Sequence, residues 1–227
     1  MNILSSQLLE LLRAALWRKE PDGSLFKEVS WKNVIHLAEV ETVKALLLDG
    51  ISLLPKELMP DEDTIMDLAG RQNKIVPHNQ IHRETIVQID QALKANNIAA
   101  VFMKGQITAL RYPKPLHRQS GDIDFVVSKD DFAKALDVLD AIGKVDRNLV
   151  HEHHGMAWVN GVTVEPHYKV HNYQRPSTDK AMQEMFTEVF LDKLKEADID
   201  GHKINVFPPT FESVFLISHM VNHVYEE

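Results

Sequence analysis

Between Ile98 and Val127 the chain reads IAAVFMKGQITALRYPKPLHRQSGDIDFVV. The stretch opens with a short apolar run, Ile98–Met103, of the length and composition of a buried strand. Lys104-Gly105 ends that run and a brief helical piece follows, Gln106–Arg111, closed by the ordered loop Tyr112-Pro113-Lys114-Pro115. Asp122–Val127 then reads as a second strand. In a strand, residues two apart share a face, so Asp122 and Asp124 point one way while Ile123, Phe125 and Val127 point the other way, into a core. Two carboxylates side by side on a sheet repel each other unless a cation or a shared proton neutralises them. A hard divalent ion such as Mg2+, which takes one or two carboxylates together with substrate phosphates, meets that need. The tripeptide alone is weak: DID recurs at Asp198–Asp200, where Gly201 follows and a turn explains it.

N-terminal to this stretch the pattern is helical. Leu4, Leu8, Leu9, Leu11, Leu12 and Leu16 recur at helix spacing until Glu20–Ser24, where Pro21 and Gly23 break it. A second helix is expected from Trp31 through Val34, Leu37, Ala38, Val43 and Leu46, stopping at Asp49-Gly50. A third is expected over Thr64–Asn97, interrupted at Pro77 and led in by acids that suit a helix N-terminus. C-terminal to it come an amphipathic helix over Lys129–Gly143 and a hairpin whose Asn160-Gly161 suits a two-residue type I′ turn. A helix over Thr178–Ala197, a short hairpin around Gly201 and a last helix from about Thr210 complete the chain. That last helix carries no stop signal, as expected of a helix cut inside a longer chain. The expected division is a helical region over 1–97, an α/β core over 98–209 and the start of a C-terminal helical region over 210–227.

The hairpin adds a third acid. With Asn160-Gly161 as the loop, Thr163 lies opposite Trp158, Glu165 opposite Met156, His167 opposite His154 and Glu152 opposite Lys169, an opposite-charge pair that supports this register. Glu165 is thereby displayed on a strand, available as a ligand, as a base or simply as a surface acid. His151, His153, His154, His167 and His171 crowd the same region. A transition-metal hydrolase could use His154 and His167 with Glu165, although no helical His-Glu-x-x-His signature is present. His219 and His223, four apart on the last helix, are a possible metal pair or one polar face. Trp17, Trp31 and Trp158 read as packing residues, and Tyr112 as a loop anchor or a stacking platform for a base.

Composition narrows the functional classes. The 227 residues carry 25 Lys+Arg against 33 Asp+Glu, a formal charge of −8, which argues against broad nucleic-acid binding. Without cysteine there are no disulfides, thiolate-held zinc, iron–sulfur clusters or thiol catalysis. No apolar run approaches the roughly 20 residues that cross a bilayer, and Arg13 and Arg18 sit within an amphipathic pattern unlike a secretory signal. A soluble, cytoplasmic protein is expected.

Taken together, Lys104-Gly105, Tyr112-Pro113, Arg118, Asp122-Ile123-Asp124 and Glu165-Pro166-His167 resemble the uncharacterised nucleotidyltransferase family of the DNA polymerase beta-like superfamily. The Trp31–Ala38 run and the closing Phe211–His223 run are similar to that family's N-terminal and C-terminal helices. The resemblance implies an α+β fold with a mixed sheet and flanking helices behind a helical N-terminal region. It implies Asp122, Asp124 and Glu165 as catalytic ligands of two divalent ions, Mg2+ or Mn2+. Lys104, Gly105, Gln106 and Arg118 would contact nucleotide phosphates, with His167 and His154 beside the ligands. The implied partners are an NTP such as ATP and an unidentified acceptor. A catalytically inactive nucleotide-binding or interaction module on the same fold is the alternative, and the His/Glu metal-dependent hydrolase a further one.

Overall fold

Leu4, Leu8, Leu11 and Leu12 fall on one side of a 3.6-residue repeat, and a helix there buries that side. The computed structural model describes residues 2–150, 154–169 and 175–226, the side chains of 222–226 excepted. In chain order its helices are α1 (Ile3–Trp17), α2 (Trp31–Val40), α3 (Lys44–Ile51), α4 (Glu62–Ala95), α5 (Gly105–Ala109), α6 (Phe132–Ile142), α7 (Pro176–Asp192) and α8 (Pro209–Glu226). Its strands are β1 (Val101–Met103), β2 (Asp122–Val126), β3 (Lys144–Asp146), β4 (Met156–Val159), β5 (Val162–His167), β6 (Lys195–Ile199) and β7 (His202–Val206). The chain divides into two units, Met1–Gln80 with Ala109–Gln119 and Ile81–Thr108 with Ser120–Glu227, and α4 contributes residues to both.

The first unit is helical. Asn2 caps α1, its Oδ1 accepting from Ser5 N at 2.8 Å. The single helix expected from Trp31 to Gly50 is two. Thr42 takes φ of +56°, Val43 N donates to Ala38 O at 2.8 Å and Thr42 N to Glu39 O at 3.1 Å. These are the paired bonds of a left-handed helix stop, made without the glycine that would have announced it. Gly50 is not a stop either, since α3 runs through it to Ile51. A Cβ there would lie 2.3 Å from Leu11 O, so the glycine is what lets α3 lie against α1. Leu8, Leu11, Val34, Leu47, Ile51 and Leu68 form the core between these helices. Trp31 stacks on Phe26 as a packing residue, but Trp17 does not pack: it is 63% exposed.

α4 begins where the acids predict, Asp61 Oδ1 accepting from Thr64 N at 2.8 Å. It does not stop at Pro77, which lies inside it. Proline removes one donor from the ladder, and a helix already nucleated on both sides carries on past it. The helix ends on another left-handed stop, Asn97 at φ +55° with Ile98 N donating to Leu93 O.

The second unit holds a mixed seven-stranded sheet in the order β3-β4-β5-β2-β1-β7-β6. β2 pairs antiparallel with β1 and parallel with β5, while β1 pairs parallel with β7. Two hairpins close on left-handed pairs, Asn160-Gly161 (φ +53°, +77°) and Asp200-Gly201 (φ +53°, +88°), as expected for two-residue loops. At the second, Asp198 Oδ1 accepts from Gly201 N at 2.8 Å, so this DID leads from the end of β6 into a turn. The C-terminal part of α4 is tied to both hairpins, through Asn160 Nδ2 to Gln88 Oε1 and through Arg83 with Asp200. One sheet face packs Phe125, Val164 and Phe102; the other packs Val101, Met103 and Val126 against Phe186, Val189, Phe207, Phe211 and Phe215. The face that carries Asp122 and Asp124 is therefore roofed by aromatic side chains of α7 and α8.

Filling the α1–α3 contact should destabilise the helical unit. Gly50→Ala is expected to cost about 3 kcal/mol, as overpacking against backbone does, measured as a lowered urea midpoint by circular dichroism. A Gly50→Ala protein as stable as wild type would contradict this packing.

Candidate active site

The parallel register of β2 and β5 sets Asp122 beside Thr163, Asp124 beside Glu165 and Val126 beside His167. Because alternate strand residues share a face, Asp122, Asp124, Glu165 and His167 all project to the side covered by α7 and α8. The hairpin keeps its expected register past the ladder: Trp158 pairs with Thr163, and His154 bridges to His167. Glu152, His151, His153 and His171 lie outside the described residues, and so does the side chain of His223.

The three acids differ in burial. The Asp124 side chain is fully buried. Asp122 and Glu165 are half-buried. A ligand atom from each of Asp124, Glu165 and His167 lies within 4.8 Å of the other two. His167 Nε2 is 3.1 Å from Asp124 Oδ1 and 3.8 Å from Glu165 Oε2. A carboxylate only accepts, so Nε2 carries the proton. Lys104 Nζ donates to the same Asp124 Oδ1 at 2.8 Å. Asp124 Oδ2 is buried with no hydrogen-bond partner, as is His167 Nδ1. The ring of His154 stands 5.5 Å from that of His167.

Burial and charge act on the three acids differently. Burial pushes the Asp122 and Glu165 carboxyls above their usual range, and the Asp124 charge pushes them further. Burial alone would raise Asp124 as well, but the His167 hydrogen bond and the Lys104 ammonium outweigh it and hold it below the usual range. Asp124 is thus the fixed anion of the group, while its two neighbours bear the cost of crowding.

The turn after β1 brings Lys104 to the acids. Lys104 and Gly105 both take positive φ, +54° and +32°. A Cβ at Gly105 would meet Asp122 O at 3.2 Å and Ser120 Oγ at 3.7 Å, so the turn lies close against the start of β2. Gln106 is buried and its Nε2 donates to Ser120 Oγ at 2.9 Å. Thr108 Oγ1 donates to the buried Glu212 of α8 at 3.1 Å, and the Lys104 ammonium sits 5.6 Å over the Phe215 ring. Ser120, Glu212 and Phe215 were not anticipated as neighbours of this turn; Ser120 reads in sequence only as a lead-in to the strand. Arg118 and Tyr112 belong to the helical unit, where the Arg118 carbonyl accepts from Asn79 Nδ2 at 2.8 Å. His219 stacks on Phe215.

These shifts have opposite signs for stability in the chelator-treated protein. A carboxyl raised by folding costs stability as pH climbs through its folded value, so Glu165→Gln is expected to melt higher than wild type at pH 7.5. That advantage should vanish below the ordinary glutamate range. A carboxyl lowered by folding contributes above its ordinary value and loses that contribution as pH falls through its folded one. Asp124→Asn should therefore lose about 3 kcal/mol at pH 7.5, the scale for breaking a buried ion pair. Thermal melts of both variants across pH 4–8 check the pair of signs.

Residues 27–227 match a family described as uncharacterised nucleotidyltransferase. No curated protein sequence matches the chain. A crystal structure of a "putative nucleotidyltransferase" from Thermotoga maritima is similar with a TM-score of 0.44 at 13% identity, covering 65% of this chain and 90% of that one. The solution structure of the antibiotic-resistance factor ANT(2'')-Ia is similar with a TM-score of 0.42 at 12% identity, covering 59% of this chain and 69% of that one. With the sequence match spanning residues 27–227, the chain belongs to the uncharacterised nucleotidyltransferase family.

Proposed function

We propose that this protein transfers a nucleoside monophosphate from an NTP to an acceptor hydroxyl, using Mg2+ or Mn2+ held by Asp122, Asp124 and Glu165. The observation that carries the reading is Asp124 Oδ2, an ionised carboxylate oxygen buried without a partner among two further acids. Such an oxygen is costly to bury unless something cationic meets it. The donor set fits a hard divalent ion, which takes carboxylate oxygens and keeps positions for phosphate. When bound, that ion would neutralise phosphate charge and stabilise the charge on attacking and leaving oxygens.

The chain's own residues supply the rest. In the transfer, an acceptor oxygen forms a bond to the α-phosphorus, the bond to the bridging oxygen breaks, pyrophosphate leaves, and the acceptor's proton passes to a carboxylate. Glu165, level with Asp124 on the same sheet face, is the carboxylate placed for that last role. Gly105, with no side chain beside Asp122 O, lets the turn lie against the start of β2 near the acids, and Gln106 braces that turn through Ser120. Phe215, under the Lys104 ammonium, and the buried Val126 beside Asp124 on β2 lower the dielectric on one side of the site, which strengthens its electrostatics. Among the described residues no helix is long and apolar enough to cross a membrane.

A second reading has one specific observation behind it: the imidazoles of His154 and His167 lie ring to ring beside Glu165. A zinc hydrolase would draw on those nitrogens. Against it, His167 Nε2 is already committed to Asp124.

Thermal shift separates these readings. With MgATP or MnATP in hundredfold excess over its dissociation constant, wild type should gain about 2.7 kcal/mol. Asp124→Asn should lose that gain and the release of pyrophosphate, by about 100-fold or more. Nucleotide stabilisation indifferent to both metal and Asp124→Asn would leave a binding module instead. Stabilisation by zinc, lost in a His154→Ala/His167→Ala double variant, would mean the hydrolase.

A further inference from the structure

Lys104 is held at three points. Its backbone takes φ of +54°, which residues other than glycine seldom adopt. Its Nζ donates to Asp124 Oδ1 at 2.8 Å, and the ammonium lies over the face of Phe215. The side chain is 16% exposed, so it lies under cover and does not reach into solvent. The two oxygens of Asp124 are consequently unlike each other. Oδ1 accepts from both Lys104 Nζ and His167 Nε2, whereas Oδ2 is buried with no partner.

We infer that Lys104 is a positioning residue that stays on Asp124 Oδ1 when a cation and a nucleotide bind, presenting Oδ2 to the cation, and that it is not a phosphate ligand. The inference rests on the metal-dependent reading of the site and refines it. Moving the ammonium to a phosphate would leave Oδ1 with His167 Nε2 alone, free the Asp124 rotamer on one side and give up the contact with the Phe215 face. Staying, the ammonium fixes the rotamer of Asp124 from one side while His167 fixes it from the other, and a ligand held that way loses little freedom on binding. An ammonium kept this near a cation also has a signed consequence: like charges repel, so the lysine weakens metal binding as it orients the ligand. A lysine that served phosphate would act on nucleotide affinity instead.

Two binding titrations on the full chain distinguish these roles. Mn2+ alone is titrated into wild type and Lys104→Met and read by electron paramagnetic resonance. ATP is then titrated at saturating Mn2+ by calorimetry. The positioning role predicts Mn2+ bound about fivefold tighter or more in Lys104→Met, with ATP affinity at saturating Mn2+ within about twofold of wild type. ATP affinity falling by about tenfold or more, or Mn2+ affinity unchanged or weaker, would overturn it. If Lys104→Met does not fold, Lys104→Gln, whose amide can still donate to Oδ1 without charge, carries the same two expectations. Wild type that binds no Mn2+ at all would end the metal reading itself, and that outcome is distinct from a wild type that binds Mn2+ with a variant that loses ATP.

Discussion

The parallel pairing of β2 with β5 is the constraint on which the site depends. It sets Asp124 level with Glu165 and, two residues on, brings His167 to the same face. A slip of one residue would turn Glu165 and His167 to the opposite side, since strand side chains alternate. The register is held by apolar residues between the polar ones: Ile123, Phe125, Val162 and Val164 are buried on the far face, so the slip would also expose them. The same hydrophobic pattern that stabilises the sheet thus aligns the acids.

Burial then differentiates the acids. Asp124 is fully enclosed and holds its charge because Lys104 and His167 meet one of its oxygens. Burial strips Asp122 and Glu165 of hydration and the Asp124 charge adds repulsion, so each is reluctant to ionise. A cluster with one firm anion and two strained ones has an electrostatic need that a divalent ion satisfies. Phe215 of α8 lies against the Lys104 ammonium that meets Asp124, an apolar neighbour on that side of the cluster. The last helix is in this sense part of the site's dielectric.

Much of this was legible in the residues. Alternation in Asp122–Val127, the Asn160-Gly161 turn and the resulting pairing of His154 with His167 follow from strand period and turn chemistry, which are local. What was not legible depended on partners distant in sequence. The stop at Thr42 uses a β-branched residue where glycine is usual, so no sequence sign marked it. Gly50 looked like a terminator because its real role, admitting the Leu11 carbonyl, appears only once α1 and α3 are side by side. The enclosure of Asp124 was missed for the same reason: Phe211 and Phe215 lie roughly ninety residues further on and nothing in Asp122–Val127 announces them. Lys104 read as a phosphate contact through resemblance, while its observed partner is the acid itself.

The most direct measurement is anomalous diffraction from crystals grown with Mn2+ and a non-hydrolysable ATP analogue. The account predicts a manganese peak about 2.1 Å from Asp124 Oδ2, also ligated by Glu165 or Asp122, with the analogue's phosphates beside it. A peak on His154 and His167, or none near the β2–β5 pair while the nucleotide is bound, would contradict it.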